Sequence, residues 1–255
     1  MASLFERLCL KYLNKKYVIL RKEQLTYYHD LLYTYHNADF LKDSKFQEAY
    51  ALSKSVDQEE LLKDYDIEWR INVICWAAQH ASNLEGDFID FGCRSGIFAR
   101  AIHHFVDLRL LNKKYYMLDT FSGLDRRFST EAEMNSPLNS KYKQKDPDEL
   151  YNFVLRSFSE LPVKIIKGPV PETLDRVDTT KLAFVSIDMN SVEPEVAALE
   201  FCWSRLVQGG IIVLDDYGYN NQFNEQKKAH DKFAESKGVR VLNVPTCQGI
   251  IIKPK

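Results

Sequence analysis

The sequence predicts an α/β protein built on a doubly wound, mostly parallel sheet, preceded by a helical N-terminal extension. Three observations predict it. Short apolar runs bounded by turn residues recur from Glu85 onward: "DFIDF", "YYMLD", "VKIIK", "LAFVSID", "GIIVLDD", "VRVLNV" and "GIIIK". Stretches of helical periodicity separate most of them, the signature of buried parallel strands joined by crossover helices. Four of the runs carry aspartate at or beside their carboxyl end, which is the end where open α/β sheets bind ligands.

The bulk numbers bound the chain without naming its task. It has 255 residues, 45% hydrophobic and 27% charged, with 34 basic and 36 acidic side chains for a net charge of −2. No basic surplus points to nucleic acid. The five cysteines are scattered and never spaced C-x-x-C. A reducing, cytoplasmic setting is therefore expected in preference to a disulfide framework or zinc site. No apolar run approaches the ~20 residues of a membrane helix. The charges threaded through "MASLFERLCLKYLNKKYVIL" are unlike a signal peptide's apolar core.

Taken in order, residues 1–84 read as a helical extension or lid without a long strand-like run, and residues 85–255 as the sheet domain. Leu4, Phe5, Leu8 and Tyr12 recur at helical spacing, as do Ile71, Ile74, Cys75 and Ala78. Arg7, Lys11, Lys15 and Lys16 lie among the polar positions of the first helix. They allow it to rest on an anionic membrane surface, although packing on its own domain or on a homodimer partner is the plainer expectation. In the sheet domain the first five strands alternate with helices. The last two, separated only by "PTCQ", form a hairpin that leaves one antiparallel strand among seven. The polar linker "DRRFSTEAEMNSPLNSKYKQKDPDELYNF" is too long for a simple crossover and is a candidate lid. Its Arg126 and Arg127 suit either an acidic acceptor or bulk solvent.

The strand ends carry the chemistry. After Asp90 the loop reads D-x-G-x-x-x-G, with Gly92 and Gly96 allowing close backbone approach but without the G-x-G-x-x-G pattern that cradles a pyrophosphate. Asp119 closes the second strand, where an acid can take both hydroxyls of a ribose. A nucleoside without a diphosphate fits that pair, and S-adenosyl-L-methionine is such a ligand. An ordinary strand-to-helix turn with Asp119 as a cap accounts for the same residues without a ligand. Farther on, Asp188 and the pair Asp215 and Asp216 end the fourth and fifth strands, joined by a helix with Pro194 near its start and Gly209-Gly210 beyond it. Three converging carboxylates repel one another unless a cation joins them, and an all-oxygen set favours Mg2+ or Ca2+. Helix capping or pairing with Lys and Arg is the alternative. His103 and His104 are expected to face solvent or packing, and His230 in "QKKAHDKF" to be structural.

The segments "EGDFIDFGCRSG", "YYMLDTFSGL", "IKGPVPETL", "LAFVSIDMNSVEPEVAALEFCWSRLVQGGIIVLDDYG" and "KKAHDKF" resemble the macrocin O-methyltransferase family. The likeness runs from about Glu85 to the C-terminus. It implies a Rossmann-like class I fold and Mg2+-dependent transfer of a methyl group from S-adenosylmethionine to a hydroxyl of a sugar or other vicinal-diol small molecule. It also implies cofactor contacts at Asp90, Gly92, Gly96 and Asp119, metal ligation by Asp188, Asp215 and Asp216, and catalytic roles for Asp188 and Asp216. One position departs from the family pattern. Where D-x-D is common, this chain has Asp188-Met189-Asn190, and an amide cannot accept a proton at neutral pH. That substitution leaves open a different base, a different acceptor, or a non-catalytic binding protein on the same scaffold. A nicotinamide-dependent dehydrogenase is disfavoured by the glycine spacing.

Overall fold

The computed structural model describes residues 20–57, 62, 65–137, 139, 146–218 and 224–255. The chain forms two compact units, residues 1–39 and 40–255. In the first, β1 (Tyr27–His29) and β2 (Leu32–Thr34) make a hairpin, where the sequence had suggested helix. The reason is local. Tyr-rich β-formers flank Asp30 and Leu31, whose φ values of 50° and 59° give the left-handed two-residue turn that matches strand twist. The amphipathic stretch around Leu4 to Lys16 lies outside the described residues.

In the second unit, α1 (Ser44–Ser55) and α2 (Glu68–Ser82) precede β3 (Asp87–Phe91), α3 (Ile97–Phe105) and β4 (Tyr115–Asp119). Then come the short α4 (Glu131–Met134), α5 (Pro147–Ser157), β5 (Val163–Lys167), β6 (Leu182–Ile187), α6 (Val192–Arg205) and β7 (Leu206–Leu214). Helix α7 (Asn224–Ser236), β8 (Leu242–Asn243) and β9 (Gly249–Ile252) complete the chain. The helices over residues 44–82, grouped by sequence with the N-terminal extension, thus belong to the same unit as the sheet. No described helix is long and apolar enough to cross a membrane.

The seven strands run in the order β5-β4-β3-β6-β7-β9-β8. Pairings are parallel from β5 through β7, and β9 alone runs against the rest as the expected terminal hairpin. Alternation along the strands sorts the core into two layers. Phe88, Tyr115, Met117 and Val213 pack with Ile74 and Ala78 of α2, Ile102 of α3 and Val154 of α5. Ile89, Tyr116, Leu118, Val185 and Ile212 pack on the other face with Leu199 of α6 and Phe233 of α7. Strand order reverses between β3 and β6, and at such a switch point adjacent strand ends splay into a crevice.

Candidate active site

A cavity of about 500 Å³ opens at that crevice, within the range of ordinary small-molecule sites. Of the acids expected there, Asp90, Asp119, Asp188, Asp215 and Asp216 all line it, and so does Gly92. Gly96 does not. It caps α3 with φ 90°, and a Cβ there would meet the Phe158 ring at 2.6 Å, so its role is helix packing.

The loops that follow the four central strands each carry a non-glycine residue in the left-handed region: Arg94 (φ 46°), Phe121 (φ 57°), Asn190 (φ 56°) and Asp216 (φ 55°). All four line the cavity. Such residues cost about 1–2 kcal/mol each and persist where surrounding structure enforces them, often at working sites.

On the β3–β4 side, Asp119 accepts the backbone N–H of Arg94 at 2.7 Å through Oδ2 and that of Phe121 at 2.6 Å through Oδ1. It therefore pins both strand-end loops, and each oxygen keeps a further lone pair for a ligand hydroxyl. Burial raises its pKa, and the two N–H groups oppose the shift. Asp90, 2% exposed, is pushed up to about 7, first by burial and then by the negative charges of Asp119 and Asp215.

On the β6–β7 side, carboxylate oxygens of Asp188, Asp215 and Asp216 lie within 4.8 Å of one another. Two oxygen–calcium bonds of ~2.3–2.6 Å span that separation, whereas two bonds of ~2.0–2.1 Å to Mg2+ require the oxygens to draw slightly closer. The donor set is all oxygen. Asn190 stands beside it, its Nδ2 donating to Asp188 Oδ1 at 3.1 Å while its Oδ1 is buried without a hydrogen-bond partner. The residues present fit a hard divalent cation. Burial, reinforced by Asp215 and Asp216, holds the Asp188 carboxyl well above its usual pKa; Asp216 is pushed to about 7 by burial and then by Asp215.

Sequence reasoning allowed these acids to pair with Lys or Arg but did not single out the cation already present. Arg70 of α2, 7% exposed, donates from Nη1 to Asp215 Oδ2 at 2.7 Å and to Asp216 Oδ1 at 2.9 Å. The repulsion expected to demand a metal is thus relieved in part by a guanidinium. A signal existed: Arg70, Ile74, Ala77, Ala78 and Ala81 share one buried helical stripe, and an arginine on such a stripe needs an acidic partner.

Behind the acids stands a second buried set that sequence reasoning left unused. Glu195 of α6, 1% exposed, accepts the Met189 N–H at 3.0 Å and the Gln226 amide at 2.9 Å on Oε1. Its Oε2 lies 2.9 Å from His230 Nε2. His230 is as structural as its setting predicted. His104 pairs with Glu48 at 3.0 Å, and His103 packs beside Tyr115 and Phe158, its pKa lowered to about 4 by burial and by Arg100. In the linker, Arg127 is held by Asp125 and Glu172, each at 2.7 Å. Ser129 and Glu133 reach the start of α6 at Ser191 and Val192. The expected lid is therefore tied beside the acid loop, although residues 138 and 140–145 lie outside the described set.

The comparisons agree with this architecture. The O-methyltransferase NovP superposes with a TM-score of 0.60 at 18% identity, over 73% of this chain and 80% of that one. The calicheamicin methyltransferase CalS11 does so at 0.58 and 18%, over 85% and 94%. The SAH-bound methyltransferase PaMTH1 of Podospora anserina gives 0.53 at 16%, over 84% and 88%. At such identities the likeness establishes the class I methyltransferase fold. No functionally curated protein matches the sequence. The profile of the macrocin-O-methyltransferase (TylF) family matches residues 70–243, spanning the crevice and both acid groups. The chain belongs to the macrocin O-methyltransferase family and is a methyltransferase.

Proposed function

We infer that this methyltransferase uses S-adenosylmethionine and a divalent cation to methylate a hydroxyl of a sugar or other small molecule bearing vicinal hydroxyls. The observation that carries the reading is a shared wall. Gly92, in the loop that Asp119 braces, abuts the Asp188 backbone so closely that a Cβ would overlap the Asp188 carbonyl oxygen. A nucleoside on Asp119 and hydroxyls beside Asp188 are thereby neighbours, which in-line transfer needs. Two structural neighbours support the reading: CalS11 is a TDP-rhamnose 3'-O-methyltransferase, and PaMTH1 is SAH-bound in its crystal structure.

Within this reading Asp119 accepts the ribose hydroxyls, and Asp90 and the Gly92 loop face the amino-acid portion of the cofactor. Asp188, Asp215 and Asp216 hold the cation, with the Asn190 carbonyl oxygen as a further oxygen donor. When bound, the cofactor supplies an electrophilic methyl group and the cation supplies Lewis acidity toward the acceptor hydroxyl. Asp216 takes the proton that the Asn190 amide cannot accept. Docking the linker at Ser191 excludes water from the acceptor side.

The test is methyl transfer by the purified chain to a panel of nucleotide sugars and glycosides, read as S-adenosylhomocysteine formed. Activity stimulated by Mg2+ and abolished by EDTA is expected. Calorimetry of Asp215→Ala should show cofactor affinity kept within a few-fold while the metal response disappears. Failure of S-adenosylhomocysteine to bind the wild-type chain would defeat the reading as a whole, and EDTA-resistant transfer would remove its metal part.

A further inference from the structure

We propose that Arg70 is an internal counter-ion that competes with the divalent cation, so that its charge, and not its packing, sets how tightly Asp188, Asp215 and Asp216 bind metal. The inference rests on the metal reading above. Its basis is geometric. A single nitrogen, Arg70 Nη1, contacts Asp215 Oδ2 at 2.7 Å and Asp216 Oδ1 at 2.9 Å, bridging the two acids that the metal reading also assigns to a cation. All three side chains are largely withdrawn from water, at 9%, 5% and 17% exposure. Their charges are therefore weakly screened, and a nearby cation is felt strongly.

Three carboxylates with one guanidinium carry a formal charge of −2; without Arg70 the same cluster carries −3. A divalent ion held by Asp215 and Asp216 shares both of Arg70's ligand residues. Repulsion between the two cations, reduced as the guanidinium moves away from the ion, lowers metal affinity by about tenfold or more. Asn190 acts in the same direction, since a neutral amide flanks Asp188 where a carboxylate would add charge. The cluster therefore stays intact without metal, and metal enters by drawing Asp215 and Asp216 away from a partner they already have. That displacement reaches α2, because Arg70 sits in its first turn.

The experiment is Mn2+ titration of the full chain, followed by the electron paramagnetic resonance signal of the free ion, for wild type, Arg70→Gln, Arg70→Met and Arg70→Lys. The two neutral variants should bind Mn2+ at least about tenfold more tightly than wild type, and Arg70→Lys, which keeps the charge, should stay within about threefold. Adding Asp188→Asn to Arg70→Gln should weaken the ion again and so locate it. Equal or weaker binding by folded neutral variants, or the same shift in the Lys and Gln variants, overturns the proposal in favour of a scaffold role. If the neutral variants do not fold, the wild type decides. Saturating Mg2+ should speed amide hydrogen exchange in the first turn of α2, and unchanged or slower exchange there counts against competition. Wild-type Mn2+ binding that Asp188→Asn abolishes but that neutral Arg70 variants do not tighten sinks this inference alone. No Mn2+ binding by any of the proteins sinks the metal reading with it.

Discussion

Gly92 and Asp188 meet backbone to side-chain position across the switch point of the sheet: a Cβ on Gly92, which sits at φ 79°, would overlap the Asp188 carbonyl oxygen. The loop on the cofactor side and the loop carrying the acids are therefore one packed unit, and neither can shift alone. Gly92→Ala should cost about 3 kcal/mol or more in urea unfolding, and should impair cofactor and cation binding together. Gly238→Ala supplies the control. It has φ 71° but nothing within 4 Å of the added Cβ, so only the conformational cost of about 1 kcal/mol applies. Equal losses at the two positions would show that the Gly92 overlap relaxes without consequence.

Asp90 makes stability depend on pH in an unusual direction. Its folded pKa of about 7 lies above the ordinary carboxylate value, so between about pH 4 and 7 the native state binds the extra proton. Its contribution to stability is full below the unfolded-state pKa and is lost as pH rises through about 7. Asp90→Asn should remove that loss. The gain in unfolding free energy of the variant over wild type should be larger at pH 8 than at pH 5, by about 2.5 kcal/mol. A pH-independent difference would mean that Asp90 titrates normally.

Glu195 anchors the acid loop from behind through the Met189 N–H while touching Gln226 and His230 of α7. Glu195→Ala strands a buried N–H, an amide and an imidazole, and should cost about 3–5 kcal/mol in chemical unfolding. Glu195→Gln keeps an acceptor for Met189 and should lose less than half as much. Comparable losses would place the stability in the charge and not in the hydrogen bond to the loop.

Asn190 touches Asp188 through its amide, so Asn190→Asp replaces a hydrogen bond with a second carboxylate. Without metal the variant should melt at a lower temperature. With saturating Mg2+ it should regain that loss, and methyl transfer to a sugar diol should run faster than wild type because the position now accepts a proton. A rate that is unchanged or slower in metal-replete assays would mean that an acid at this position does not act as a base and that Asp216 keeps that role.

Much of this was legible in the chain. The strand segments Asp87–Phe91, Tyr115–Asp119, Leu182–Ile187 and Gly249–Ile252 coincide almost residue for residue with the apolar runs, because a strand buried on both faces has no polar alternation to obscure it; the edge strand Val163–Lys167, with Lys164 exposed, also matches its run. The hairpin at Tyr27–Thr34 was missed because its strands are three residues each and its turn lacks the usual Asn-Gly. The acids were legible because carboxylates at successive parallel strand ends must converge.

The sequence by itself determined the strands of the sheet, its terminal hairpin, and the acids at the strand ends, since each depends on periodicity and on residue type at a strand end. Only the tertiary structure decided what those acids meet. Arg70 and Asp215 are 145 positions apart, and nothing local to either announces the other. Their contact exists because α2 packs across the sheet beside β6 and β7, and a buried charge takes whichever opposite charge the packing brings within reach.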